Sequence, residues 1–180
     1  MTRITTLCLL LLIVAAGCSK PAPDSANQTP TATAATPALT EDKRIASVDV
    51  VKAAPQPVEL AAGSSGAANV RLTIQSGYHI NANPPAYSYL IATALEISPA
   101  DGVSAGLITY PKPLSRKFVF AEKPLTVYEG ETEVKAALKA EKSAKPGQRS
   151  LAAKLRIQAC DDQVCYPPGT LDLVIPVNIK

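Results

Sequence analysis

The feature that most constrains the fold of this chain is an alternation of apolar and polar residues near its C-terminus. In "SLAAKLRIQ", residues 150–158, apolar side chains occupy the odd positions, and the charged or amide side chains occupy even ones. "LDLVIPVNI", residues 171–179, repeats the pattern, and "NVRLTIQ", residues 69–75, shows it earlier in the chain. A period of two with one apolar face is what a half-buried antiparallel sheet requires. The sequence therefore predicts β-strands over these three segments.

Shorter strand signals separated by turn signals fill the rest of the folded part. Stretches such as "NANPP", "PADG" and "YPPG" contain the Pro and Gly residues that are typical of turns. We predict further strands over residues 45–52, 87–98, 103–110 and 116–120. Several short strands with frequent turns indicate an all-β sandwich.

One segment conflicts with this pattern. "ETEVKAALKAEKSAK", residues 131–145, consists mostly of residues with high helix propensity. Its apolar positions fit helical spacing poorly, however, and tertiary context can override propensity. We therefore predict a strand over 132–139 with a loop after it.

The N-terminus has the layout of an export signal. Arg3 precedes an apolar run over residues 7–16, which is shorter than the about 20 residues that span a bilayer. The small residues before Cys18 resemble a bacterial lipobox, so we expect a lipoprotein signal peptide at 1–17 and a lipid on Cys18. The alternative is an ordinary signal cut elsewhere, with Cys18 as a spare thiol. Ser19, by analogy with enteric lipoproteins, favours the outer membrane.

The segment after the signal differs in composition from the rest. It is rich in Pro, Ala, Thr and Ser and has little to bury, so residues 18–44 are expected to form a lipid-anchored, disordered tether. We place one folded domain at 45–180. After removal of Arg3 the chain carries 17 basic and 15 acidic residues, a balance too even to indicate nucleic-acid binding.

The stretch "IQACDDQVCYPPG", residues 157–169, holds the two cysteines that remain once Cys8 and Cys18 are assigned to signal and lipid. In an exported, oxidising compartment such a pair is expected to form a disulfide. Continuing the alternation places Cys160 on the polar face, where it can be reached. As a staple the pair closes a short loop, worth roughly 2 kcal/mol. As a metal site it lacks partners, because the only histidine, His79, is far away in sequence. A redox pair and a staple both remain open on chemistry alone, and a metal site is the least favoured of the three.

Asp161 and Asp162 qualify the redox hypothesis. Two carboxylates next to Cys160 disfavour its thiolate, whereas electropositive surroundings activate an attacking thiol. We therefore expect the pair to be attacked by a partner, or to react only when it is docked on a partner that supplies activation. This is the behaviour of an electron relay.

Five segments, taken in order, carry a resemblance to a known family. "GYHINANPP", "YLIATALEI", "YPKP", "LTVYEGE" and "IQACDDQVCYPP" resemble the N-terminal periplasmic domain of DsbD, the thiol:disulfide interchange protein, over about 45–180. The resemblance implies an immunoglobulin-like antiparallel β-sandwich without cofactor or metal. It also implies a cysteine pair that takes electrons from the membrane-embedded and thioredoxin-like parts of DsbD. The pair passes them to periplasmic thioredoxin-fold proteins such as disulfide isomerases and cytochrome c maturation factors.

The resemblance also implies roles for individual residues. It assigns Cys160 and Cys165 as the redox pair. The family shields its pair with a cap loop bearing an aromatic residue, and "RKFVFAEKP", residues 116–124, lies where that loop should be. Phe120 is therefore the candidate cap, with Phe118 behind it. The alternative is that both phenylalanines are ordinary core residues.

The resemblance also suggests residues that line the site, and this sequence differs from the family in two respects. Tyr78 and Tyr166 are candidates to line the site, and His79 is expected to be a hydrogen-bonded surface or strand-end residue rather than a ligand. The enteric form has one more residue between its cysteines. This sequence stops at Lys180, so we expect a stand-alone lipoprotein whose electron source is another protein.

Three functions of different kinds follow from these observations. The leading hypothesis is a periplasmic, lipid-anchored thiol:disulfide exchange module, a possible component of protein-disulfide reduction, that relays electrons between thioredoxin-fold partners. The first alternative is a non-enzymatic binding or assembly lipoprotein with a purely structural disulfide. The second is a metal-handling module that uses the reduced thiols.

Overall fold

The computed structural model describes residues 45–180, and the predictions for 1–17, Cys18 and the rest of 18–44 lie outside the described residues. Within the described part the chain is all-β apart from one 3₁₀ turn (Ser47–Val50), and none of its helices is long and apolar enough to cross a membrane. The strands are β1 (Val51–Pro55), β2 (Val58–Leu60), β3 (Ser65–Ile74), β4 (His79–Asn81), β5 (Ala94–Ile97), β6 (Val103–Thr109), β7 (Leu114–Arg116), β8 (Leu125–Tyr128), β9 (Glu131–Ala140), β10 (Gly147–Ile157), β11 (Ala159–Cys160) and β12 (Gly169–Ile179).

Two four-stranded sheets form a sandwich. The first has the order β1-β3-β9-β6 and the second the order β2-β12-β10-β5. All of their neighbouring strands are antiparallel except β2 and β12, which are parallel. Leu72 and Val134 of the first sheet share one buried cluster with Leu155 and Ile175 of the second. The predicted immunoglobulin-like antiparallel β-sandwich is thus confirmed.

The segments with a clear period of two are strands. Each of the three most strongly alternating segments lies largely within a long strand, β3, β10 or β12. β6 agrees with the prediction for 103–110, and β9 with that for 132–139. In β9 alternate residues from Val134 to Ala140 are buried, so burial of one face has overridden the helix propensity of the segment.

Three weaker strand predictions are wrong over much of their length. In 45–52 the 3₁₀ turn comes first and β1 starts only at its end. In 87–98 only β5 is a strand. Residues 116–120 contain only the last residue of β7, because the Lys117 ammonium donates to the carbonyls of Ala121 and Glu122 and closes a loop there.

A third, smaller sheet carries the two cysteines. It consists of β11-β4-β8-β7 in that order, and all its pairs are antiparallel. Its strands are only two to four residues long, too short to show a period in the sequence. A second apolar cluster of Leu90, Phe118, Leu125 and Val127 packs here, with Cys165 against it. The third sheet therefore positions the candidate site.

Candidate functional site

The cysteine hairpin, residues 159–166, is the centre of the candidate site. Cys160 and Cys165 lie opposite each other and are joined by a disulfide. Backbone hydrogen bonds flank the pair on both sides: Tyr166 N–H to Ala159 O (2.8 Å) and Asp161 N–H to Val164 O (2.9 Å). The expected disulfide is therefore formed, and it sits inside a hydrogen-bonded turn.

The two cysteine residues differ in exposure. Cys160 is 0% exposed, whereas Cys165 is half-buried. The prediction that Cys160 continues a reachable polar face is wrong, because β10 ends at Ile157 and Ala159–Cys160 form a new strand in the third sheet. Because the strand is interrupted at Gln158, the alternation of inward-facing and outward-facing residues in β10 does not continue into β11. Cys165 is therefore the more accessible residue of the pair.

Ser47 holds the hairpin at its base. Its buried hydroxyl accepts a hydrogen bond from Ala159 N–H (2.9 Å) and donates one to Pro167 O (2.6 Å). Ser47 therefore ties together the two ends of the cysteine segment. The sequence analysis missed this residue, because no local pattern marks a serine whose partners are 112 and 120 residues away.

Gln158 is a second positioning residue that the sequence did not reveal. Its Oε1 accepts from Asn81 Nδ2 (3.0 Å) and from Ile91 N–H (2.9 Å), while its Nε2 donates to Tyr166 O (3.3 Å). The side chain thus links β4, the chain before β5 and the cysteine hairpin. The alternation had placed it on a solvated face, but it is half-buried.

The carboxylate of Asp161 accepts three hydrogen bonds within the turn. Its Oδ1 accepts the N–H groups of Gln163 and Val164 (2.8 Å each), and its Oδ2 accepts the hydroxyl of Tyr166 (2.5 Å). The Tyr166 hydrogen bond is the main reason why the pKa of Asp161 is lowered. The same bond raises the pKa of Tyr166 to about 12. Asp162 is exposed. A modulating effect of either carboxylate on the cysteines stays a prediction.

Three rings form a stack beside the disulfide. The imidazole of His79 lies 4.1 Å from the Phe118 ring, centroid to centroid, at an interplanar angle of 18°. Phe118 in turn lies 5.5 Å from Phe120 at 17°. Phe118 is buried, while Phe120 is 40% exposed. Phe118 therefore belongs to a core cluster, whereas Phe120 faces solvent.

Phe120 and Cys165 line one cavity of about 340 Å³, here called the Cys165 cavity. Its other lining residues are Tyr89, Leu90, Ala121, Leu125, Gln158, Gln163 and Val164. The structure thus brings the candidate cap Phe120, the Phe118 behind it and the half-buried cysteine together. The capping role itself stays a prediction.

His79 does not lie at the surface as expected. It is 2% exposed, although it does stand at a strand end, as the first residue of β4. Burial is the largest influence on His79 and lowers its pKa. Its ring is covered because Phe118 stacks on it and β11 pairs with its strand.

Tyr78 and Tyr166 lie side by side, with ring centroids 6.1 Å apart, and both pack against the main core. Tyr78 also lines a separate cavity of about 690 Å³, here called the His79 cavity. Among its other lining residues are His79, Arg116, Lys117, Phe118, Glu129 and Asp162. Within residues 45–180 no group of three or more His, Cys, Asp or Glu side chains is placed to bind a metal.

Fold and site together define a class of protein. It is an immunoglobulin-like sandwich that presents a disulfide at an open cavity. Residues 47–174 match the family described as thiol:disulfide interchange protein DsbD, N-terminal. The chain belongs to this family.

Two solved structures are among those similar to this chain. The N-terminal domain of DsbD from Neisseria meningitidis, in the reduced form, is 24% identical with a TM-score of 0.41, over 65% of this chain and 82% of that one. The N-terminal periplasmic domain of ScsB from Proteus mirabilis is 14% identical with a TM-score of 0.47, over 71% of this chain and 45% of that one. No curated protein sequence matches significantly. Because both TM-scores are below 0.5, the family assignment rests on the sequence match.

Proposed function

We propose that this domain is a periplasmic electron relay that exchanges its Cys160–Cys165 disulfide with thioredoxin-fold partners. The observation that carries the proposal is the asymmetry of the pair, since Cys165 is half-buried at an open cavity while Cys160 is fully buried. A disulfide that only staples the fold has no need of such an opening. Membership of the family supports the same chemistry and a periplasmic location.

The exchange begins at the accessible sulfur. A partner's thiolate attacks Sγ of Cys165 and forms a mixed disulfide, while the Cys160–Cys165 bond breaks and its electron pair goes to Sγ of Cys160. The second thiol of the partner, as a thiolate, then attacks the partner's sulfur in the mixed disulfide, and Sγ of Cys165 leaves as a thiolate. The two thiolates of this domain then take up protons. These steps leave the partner oxidised and this domain as a dithiol. The reverse sequence delivers the two electrons to the next partner.

Exposed apolar side chains around the Cys165 cavity support the docking of a protein partner. Tyr89 is 71% exposed and Val164 50%, and both line the cavity with Phe120. Val119, next to Phe120 in the chain, is 90% exposed. Exposed apolar residues gathered at one place are typical of protein-binding sites. We infer that Phe120 shields the disulfide until a partner displaces it.

Trapping of the mixed disulfide tests this function. The Cys160→Ala variant is incubated with a thioredoxin whose resolving cysteine is replaced and whose other cysteine carries an activated leaving group. We expect a covalent complex through Cys165. The matched Cys165→Ala variant should form little complex while it stays folded, because Cys160 is buried. Capture mainly through Cys160 contradicts the proposed order of attack, and capture through neither cysteine leaves a structural staple as the function.

We also propose that Cys18 is the lipid-bearing first residue of the mature protein and that residues 18–44 tether the domain at 45–180, at the outer membrane. The proposal rests on the sequence alone. Mass spectrometry of the purified protein should find a diacylated or triacylated N-terminal Cys18, and Cys18→Ser should release the protein from washed membranes. An unmodified N-terminus at another residue contradicts it.

A further inference from the structure

His79 is a buried titratable residue that the exchange described above does not use. Its Cα is the direct partner of Cys160 in the β4–β11 pair. Directly opposed residues in an antiparallel pair point to the same face of the sheet, with Cβ atoms about 5 Å apart. The imidazole is therefore the side-chain neighbour of the buried sulfur across the strands.

One nitrogen of this ring has no partner. Nε2 of His79 is buried and makes no hydrogen bond to any residue in the part of the chain that the structure describes. The stacked Phe118 ring, at 4.1 Å, has no polar atom to offer. Leaving a buried polar atom unpaired costs about 1–3 kcal/mol, so its presence next to a cysteine requires an explanation.

Burial, rather than the surrounding charges, keeps the imidazole of His79 neutral near pH 7. Burial lowers its pKa most strongly, and Arg116 acts in the same direction. Glu129, Asp162 and Asp161 act in the opposite direction without reversing the shift. Lys117 and Tyr78 also line the cavity beside the ring. A neutral imidazole can accept a proton, and the carboxylates at the cavity can stabilise the cation that forms.

We propose that His79 is the proton acceptor for the Cys160 thiol, a role that rests on the proposed exchange function. In the reduced domain, the Cys165 thiolate attacks a partner's disulfide and forms a mixed disulfide with one partner sulfur, while the other partner sulfur leaves as a thiolate. Cys160 must then lose a proton to resolve the mixed disulfide. Nε2 takes the proton, and Sγ of Cys160 attacks Sγ of Cys165. The Cys160–Cys165 bond forms, and the partner's sulfur leaves as a thiolate with the electron pair. In the reverse direction the imidazolium returns the proton to Cys160.

The surroundings of Cys160 make this assistance necessary. A thiol buried in apolar surroundings has a raised pKa, and bulk water cannot reach the fully buried Cys160 to remove its proton. His79 lines the His79 cavity, of about 690 Å³, through which we infer that the proton reaches solvent. It shares no lining residue with the Cys165 cavity. Protons and partner thus use different openings.

The test follows the closure of the disulfide in time. Reduced protein reacts with oxidised glutathione, samples are quenched with acid, and mass spectrometry counts the glutathione adduct and the closed disulfide. In His79→Phe, which keeps a flat ring against Phe118, we expect closure at pH 7 to slow by roughly 10- to 100-fold and the adduct to accumulate. His79→Gln should behave alike, because an amide does not accept a proton at this pH.

The wild-type protein supplies a second readout that does not depend on a variant. His79 is the only histidine of the sequence, so its imidazole gives one histidine signal in NMR spectra. The pH at which the closure rate falls by half should coincide with the titration midpoint of that signal, whereas in His79→Phe the rate should rise in proportion to hydroxide. Equal closure rates with the same pH profile in both proteins overturn the role of His79 alone. Absence of any adduct and any closure in the wild type overturns the exchange function with it.

Discussion

At the scale of single residues, the reactivity of the pair depends on which atoms cover each sulfur. Cys160 is covered by the fold itself, whereas Cys165 shares its cavity with the half-exposed ring of Phe120. Because Cys160 is buried within the third sheet, we expect that it becomes exposed only when that sheet opens. Under the proposed capping role of Phe120, uncovering Cys165 requires only that one loop side chain moves. This difference gives the capping hypothesis a direct test.

Phe120→Ala should speed reduction of the disulfide by dithiothreitol. Phe120 and Tyr89 are the two aromatic side chains that line the Cys165 cavity. We expect a rate increase of roughly tenfold, which corresponds to about 1.4 kcal/mol of barrier. Stopped-flow or quenched reduction at fixed pH measures it.

Leu107→Ala is the matched control for this variant. Leu107 is equally apolar and 76% exposed, but it lies on β6 and lines neither cavity described above. It should leave the reduction rate unchanged. If both variants reduce at the wild-type rate, Phe120 is not a cap and the aromatic stack serves packing alone.

The identity of the pair is visible in the sequence, but its exposure is not. Two cysteines near each other in an exported chain predict a disulfide, and the structure contains it. The burial of Cys160 depends on the break at Gln158, whose hydrogen bonds to Asn81 and Ile91 come from distant segments. The burial of His79 likewise depends on Phe118 and on a strand of two residues. Such contacts leave no periodic signal in a single sequence.

At the scale of elements, long strands were predictable and short ones were not. β9 was predicted against its own helix propensity, because its apolar positions fit helical spacing poorly. In the structure it buries four alternate residues on one face, and this burial outweighs propensity. β2, β4, β8 and β11 were missed, since two to four residues carry no readable period. The third sheet, which holds the candidate site, was therefore the least predictable part of the fold.

The attachment of the cysteine hairpin is an element-scale property that Ser47 controls. Ser47→Ala removes the acceptor of the Ala159 N–H and the donor to Pro167 O. Since the Ala159 N–H is then buried without a partner, the free energy of unfolding should fall by about 1–3 kcal/mol. Urea unfolding of the oxidised protein measures this loss.

Ser143→Ala serves as the control for this measurement. The hydroxyl of Ser143 donates only to Glu141 at 3.1 Å, and that contact is exposed. We expect its effect on unfolding to stay within about 0.5 kcal/mol. A loss of similar size in both variants contradicts the anchoring role of Ser47.

For the whole molecule, two titrations give the stability a predictable pH dependence. The pKa of His79 is lower in the folded protein than its ordinary value of 6.5, so the unfolded chain binds the proton more readily. Stability should therefore fall as the pH drops below about 7. The His79→Phe substitution should remove this contribution to the pH dependence of stability. The pKa of Asp161 is also lowered, so its stabilising contribution is present above its ordinary value of 3.8 and is lost as the pH falls through the folded value. A stability of the oxidised wild type that is flat between pH 7 and pH 5 contradicts the shift of His79.

The central claim is that the whole domain works as a carrier of electrons. Its most direct test is the redox equilibrium of the Cys160–Cys165 pair in glutathione buffers of known ratio, read by thiol alkylation and mass spectrometry. A carrier of electrons should have a midpoint in the range of thioredoxin-fold exchange proteins, about −180 to −270 mV, and should equilibrate with thioredoxin. A midpoint below about −300 mV without exchange with thioredoxin contradicts it and shows the disulfide to be a structural staple.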